Sequence, residues 1–126
     1  MSYMRDYCDV SVLKGKTLVS CVSIDDVITF TTSDGDVYRM YHGQDCCESV
    51  YIDDIVGDLQ DLVGSEILMA EEVEGESPAE FDPNDYESYT WTFYKFATIK
   101  GYVDIRWCGS SNGYYSEGVD FCKIGD

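Results

Sequence analysis

A chain of 126 residues, 44% of them hydrophobic, is long enough to bury a core, and its net charge of −17 argues against direct nucleic-acid binding, because only eight scattered Lys and Arg oppose the repulsion. No apolar run approaches the ~20 residues that span a bilayer, and no basic start leads into an apolar segment, so the expectation is a single cytoplasmic domain. Six Cys with neither a secretory signal nor a CxxC spacing read as reduced thiols, most of them small core residues.

Thr17 to Ser23, carrying Leu18, Val19, Cys21 and Val22, reads as the first strand. Val27 to Thr32 follows, rich in β-branched residues, and Ser33-Asp34-Gly35-Asp36 then signals a hairpin into Val37 to His42. Asp34 and Asp36 imitate part of a calcium loop, but the downstream ligands are missing, so the segment reads as a turn. A short strand near Ser49 to Ile52 precedes the one predicted helix, Asp54 to Val63. There Ile55, Val56, Leu59, Leu62 and Val63 fall on one face of a 3.6-residue period, with Asp53 or Asp54 as N-cap and Gly64 beyond the end. Ile67 to Val73 reads as a strand leading into the acidic, Pro-containing loop Glu74 to Glu87. Tyr89 to Thr98 alternates as a strand with Trp91, Phe93 and Lys95 on one face. Gly101 turns the chain into Tyr102 to Trp107, and a loop at 109–113 leads to a last strand, Tyr114 to Cys122. These elements sum to an α+β fold: a meandering, mostly antiparallel sheet of six to eight strands with one amphipathic helix on a face.

The charge is unevenly spread. Between Arg39 and Lys95 there are fifteen acids and no Lys or Arg, which accounts for −15 of the −17. Two readings stand. One is a solvated surface that keeps the protein soluble. The other is a negative face, Asp53, Asp54, Asp58 and Asp61 on the helix with Glu71, Glu72 and Glu74 beside it, that occupies a basic groove as nucleic acid does.

Reactive residues cluster only at His42-Gly43-Gln44-Asp45-Cys46-Cys47-Glu48. A Cys–His pair can make a thiolate nucleophile, but the acidic setting raises a thiol pKa and works against it, so an enzyme is the third reading and no catalytic residue is assigned. Zinc would draw on His42, one of Cys46 and Cys47, and a distant Cys108 or Cys122, since adjacent Cys in a strand point to opposite faces. Asp82, Asn84, Asp85 and Glu87 could hold a divalent cation weakly. No metal or cofactor is assigned. His42, Gln44, Asp45 and Glu48, with Asn112, Tyr114 and Tyr115 from the turn near the end of the chain, form instead a candidate ligand pocket.

The strings His42-Gly43-Gln44-Asp45-Cys46-Cys47-Glu48-Ser49-Val50, Ile52-Asp53-Asp54-Ile55-Val56-Gly57-Asp58-Leu59, Tyr102-Val103-Asp104-Ile105-Arg106-Trp107 and Ser111-Asn112-Gly113-Tyr114-Tyr115-Ser116 resemble a small uncharacterised domain family of bacteriophage and prophage genomes. The resemblance leaves out the residues before Thr17 and the acidic loop. It implies no assigned activity, but it implies a context: small acidic phage proteins often inhibit host restriction enzymes and CRISPR effectors, which carry basic nucleic-acid channels. The favoured expectation is therefore a phage-type inhibitor that engages such a host protein through its acidic surface. The alternative is a sponge for a nucleotide signal, built on the His42–Glu48 pocket.

Overall fold

The structure, a computed structural model, describes residues 5–43, 49–75, 88–111 and 119–124. In chain order these form β1 (Arg5–Tyr7), a 3-10 turn (Val10–Leu13), β2 (Leu18–Ile24), β3 (Val27–Thr32), β4 (Val37–Tyr41), β5 (Ser49–Val56), a second 3-10 turn (Leu59–Leu62), β6 (Met69–Gly75), β7 (Ser88–Thr98), β8 (Gly101–Ser111) and β9 (Asp120–Ile124). The strands make two antiparallel sheets, ordered β1-β9-β4-β3-β2 and β5-β8-β7-β6. The described residues are thus nearly all β, and the α+β expectation is overturned.

Alternation builds the first sheet. In β3 and β4 every second side chain is buried, which sends Ile28, Phe30, Tyr38 and Met40 inward. The four residues Ser33–Asp36 join them, with Gly35 at φ +91° where a side chain would strain the backbone. The carboxylates of Asp34 and Asp36 there face Lys16 and Lys123 as ion pairs, so this segment is the turn the sequence suggested.

The inner face of the second sheet comes from Tyr94 and Phe96 on β7 and Val103, Ile105 and Trp107 on β8, all fully or almost fully buried. The two inner faces meet. Phe30 lies 5.7 Å from Phe96, ring centre to ring centre, and the Trp107 indole N–H donates to Met40 Sδ at 3.3 Å. One continuous cluster from both sheets forms the core, and each large side chain in it is worth roughly 1.5–3 kcal/mol of burial. Cys21 belongs to that cluster, as a small core residue should, and burial pushes its thiol pKa up to about 12.

The predicted helix at 54–63 is where the sequence misleads. Strand β5 runs to Val56, and its pairing with β8 slips between Ile52 and Asp54, a bulge that leaves Asp53 as the extra residue. Val50, Ile52 and Ile55 therefore pack against the core at spacings of two and then three. Gly57 ends the strand at φ +100°, and Leu59–Leu62 form a single 3-10 turn capped by Asp58, whose carboxylate accepts the Gln60 N–H at 2.9 Å. Strand, bulge and short turn together place apolar residues at helical intervals without a helix.

The second turn is pinned between the sheets. Leu62 is fully buried, the Gln60 side-chain amide donates to the Cys21 carbonyl at 3.2 Å, and the Thr98 hydroxyl donates to the Asp61 carbonyl at 2.6 Å. Its neighbours Val63 and Gly64 touch the backbone of Leu18, which covers part of the free edge of β2.

Candidate functional site

The candidate surface is the outer face of the second sheet, and strand register builds it. Residues opposite each other share a face, so the face reads as rows. One row is Tyr51–Cys108–Trp91, the next Asp54–Arg106–Phe93–Val73, the next Val56–Asp104–Lys95–Glu71, and the last Tyr102–Ala97–Met69. Trp91, Phe93 and Lys95 do share a face, as the alternation predicted, and it is this outer one; the core takes Tyr94 and Phe96.

Arg106 is fixed at the centre. Its guanidinium lies 5.6 Å from the Trp91 ring centre, and its Nη2 and Nε meet Asp53 Oδ2 at 2.5 and 2.7 Å. The bulge is what lets Asp53 reach Arg106 while Asp54 keeps the in-register position opposite the same residue. Beside this clamp a depression of about 220 Å³ is lined by Asp54, Val56, Phe93, Asp104 and Arg106. A hydrogen bond with Cys108, and then burial, raise the Tyr51 hydroxyl pKa above its ordinary value, so Tyr51 stays neutral here.

The predicted acidic face is distributed by this fold. Asp53 and Asp54 lie on β5, at one edge of the sheet, and Glu71, Glu72 and Glu74 lie on β6, at the other. Three strand spacings, about 14 Å, separate the edges. Asp53 is engaged by Arg106, Asp58 caps the second turn, and Asp61 is half-buried. Glu71 shares the outer face, whereas Glu72 sits opposite Tyr94 on the inner side of its strand. There the Tyr94 hydroxyl is held protonated first by burial and then by the negative charge of Glu72, Asp120 and Asp9.

Of the predicted ligand pocket only His42 is described: it follows β4, and the next residue, Gly43, donates its N–H to Asp120 Oδ2 at 3.3 Å. Gln44, Asp45 and Glu48, with Cys46 and Cys47, lie outside the described residues, as do Asn112, Tyr114 and Tyr115 and the loop residues 76–87. Cys108 faces the outer side of β8 and Cys122 lies on β9 in the other sheet; among the described residues no group of three His, Cys, Asp or Glu is arranged to hold a metal.

Comparison with known proteins supplies a family. A domain of unknown function, DUF7448, matches residues 11–121, from the first 3-10 turn to the start of β9. The chain belongs to the DUF7448 family. No curated protein and no solved structure matches it. No helix among the described residues of this DUF7448 domain is long and apolar enough to cross a membrane.

Sequence reasoning missed two features of the DUF7448 domain. The Asp54–Arg106 pairing was legible only as opposite charges in two strand-like runs, since nothing local gives their register. The other is the β2–β3 turn, where Asp25 and Asp26 both adopt positive φ, 51° and 58°. That is the backbone of a tight hairpin turn, usually given to Asn-Gly. Asp26 Oδ1 accepts the Ile52 N–H at 3.2 Å, so this turn ties the first sheet to the edge strand of the second.

Proposed function

We propose that the DUF7448 domain is a binding protein, not an enzyme, and that it engages a partner with a basic surface. The finer form of this reading is a phage-type inhibitor that occupies the nucleic-acid channel of a host defence protein. The observation that carries it is the charge map. Fifteen acids and no Lys or Arg lie between Arg39 and Lys95, and Asp53, Asp54, Asp58, Glu66, Glu71 and Glu72 are exposed. On the second sheet Arg106 is already held by Asp53 and the exposed Lys95 stands between Asp104 and Glu71 in its cross-strand row, so carboxylates outnumber bases on that face. Such a surface steers a basic partner at long range and loses that advantage as salt rises.

The test uses tagged DUF7448 domain and nuclease-treated host lysate at low and high salt. A stoichiometric protein partner should be captured at low salt and released at high salt. Purified, that partner should bind roughly tenfold more slowly to a variant with the exposed Asp54, Glu66 and Glu71 each replaced by Lys. Capture that survives both salt and charge reversal would remove the electrostatic reading.

A further inference from the structure

We infer that the depression beside Asp54 and Asp104 is the seat of one lysine or arginine side chain of the protein partner. This rests on the basic-partner reading above and gives it an address. The observations are geometric. Its lining pairs two apolar side chains, Phe93 half-buried and Val56 60% exposed, with two carboxylates on the neighbouring strands β5 and β8. Its volume of about 220 Å³ suits a long side chain rather than a folded segment.

Charge decides the occupant. Arg106 also lines the depression, but its charge is matched by Asp53 and its ring-facing side is spent on Trp91. Lys95 stands across the strand pair from Asp104, yet among the described residues no ion pair joins them, and none reaches Asp54. Two carboxylates sharing a depression with an aromatic ring and a valine match a cation carried on an aliphatic stem, with the stem on Val56 and Phe93 and the head between Asp54 and Asp104. Around this seat the outer face exposes Tyr51, Val73 and Tyr102, the last 74% accessible, so the partner also meets apolar surface. An anionic ligand is repelled here, and a second copy of so acidic a chain is disfavoured by its own charge.

The full chain, labelled with nitrogen-15, would be titrated with a blocked hexapeptide of alternating arginine and valine. The same peptide with citrulline for arginine keeps shape and hydrogen bonding but loses the charge. We expect saturable amide shifts at Val56, Phe93 and Asp104 with the arginine peptide alone. Asp54→Asn and Asp104→Asn should each weaken binding about fivefold, whereas Asp34→Asn and Glu66→Gln, exposed acids elsewhere, should not; unchanged shifts far from each substitution report an intact fold. Arginine-dependent shifts centred on other acids and indifferent to Asp54→Asn and Asp104→Asn would overturn this seat and leave the basic-partner reading standing. No arginine-dependent binding anywhere at low salt would overturn both. A concentration-dependent dimer abolished by Tyr102→Ser would assign the face to a second copy and overturn the inference.

Discussion

Strand β3, interior to the first sheet, and strand β5, at the edge of the second, are held in place by different means. β3 alternates strictly, with three side chains buried and three half-buried, and its energy lies in side-chain packing. β5 buries none of its eight residues fully; it is placed by a bulge, by a glycine at its end and by the hydrogen bond its Ile52 N–H donates to Asp26 in the β2–β3 turn. A strand can therefore be specified by its faces or by its backbone, and only the first kind announces itself in sequence.

The largest effect that would sharpen this contrast is Phe30→Ala in β3, expected to cost roughly 3–5 kcal/mol in urea unfolding. Val56→Ala in β5, by comparison, should stay within about 0.5 kcal/mol. Gly57→Ala comes next. A Cβ there would meet the Tyr102 carbonyl at 2.6 Å with φ at +100°, so a loss of roughly 2–4 kcal/mol is expected. A rise in helical circular dichroism in that variant would instead break the comparison, since it would mean that the 54–63 segment had become the helix its periodicity describes.

An alkaline titration separates the packed region in another way. Cys21 has its thiol pKa raised from 9.0 to about 12 by burial, so the folded state keeps a proton that the unfolded chain loses. Its contribution is complete below pH 9 and falls away as pH rises towards 12; at pH 10.5 about 2 kcal/mol should be gone. Tyr94 acts in the same direction from its ordinary value upwards. Cys21→Ala, weaker at neutral pH through its lost packing, should show a flatter decline above pH 9, and an unchanged slope would remove this assignment.

The smallest effects probe the tie between the two regions. Asp26→Ala should cost about 1 kcal/mol by orphaning the Ile52 amide, and hydrogen exchange at Ile52 should quicken. Asp25→Gly, at a positive φ with no such bond among those described, should be neutral or stabilise by up to about 1 kcal/mol, as relief of strain offsets the added freedom of glycine.

Legibility follows the same divide. Val27 to Thr32 and Val37 to Tyr41 were readable because one face of each is buried, and Asp34-Gly35 named its own turn. β7 and β8 were readable as strands, although aromatic residues on both sides of β7 hid which side is core. The helix error arose because Ile55, Val56, Leu59, Leu62 and Val63 keep helical intervals across the end of a strand and a 3-10 turn, and only Gly57 hinted otherwise. β1, three residues long, and the Val10–Leu13 turn are too short to carry a period. As for the site, the acids were visible in composition, but the Asp54–Arg106–Phe93 row depends on register between strands fifty residues apart, which local patterns do not encode.

The second sheet is one unbroken stretch of chain, 49–111, set between two strands of the first that hydrogen-bond to each other: Tyr41 pairs with Asp120. β9 also carries β1 on its other side, so the first sheet is divided until residues 120–124 arrive. During synthesis all four strands of the second sheet are therefore made before β9, while the first sheet waits, with β4 presenting an open edge. Closing that long span costs entropy that nearby hairpins do not face. The chain path thus predicts an order of assembly: hairpins first, the second sheet next, and β9 as the strand that seals the molecule.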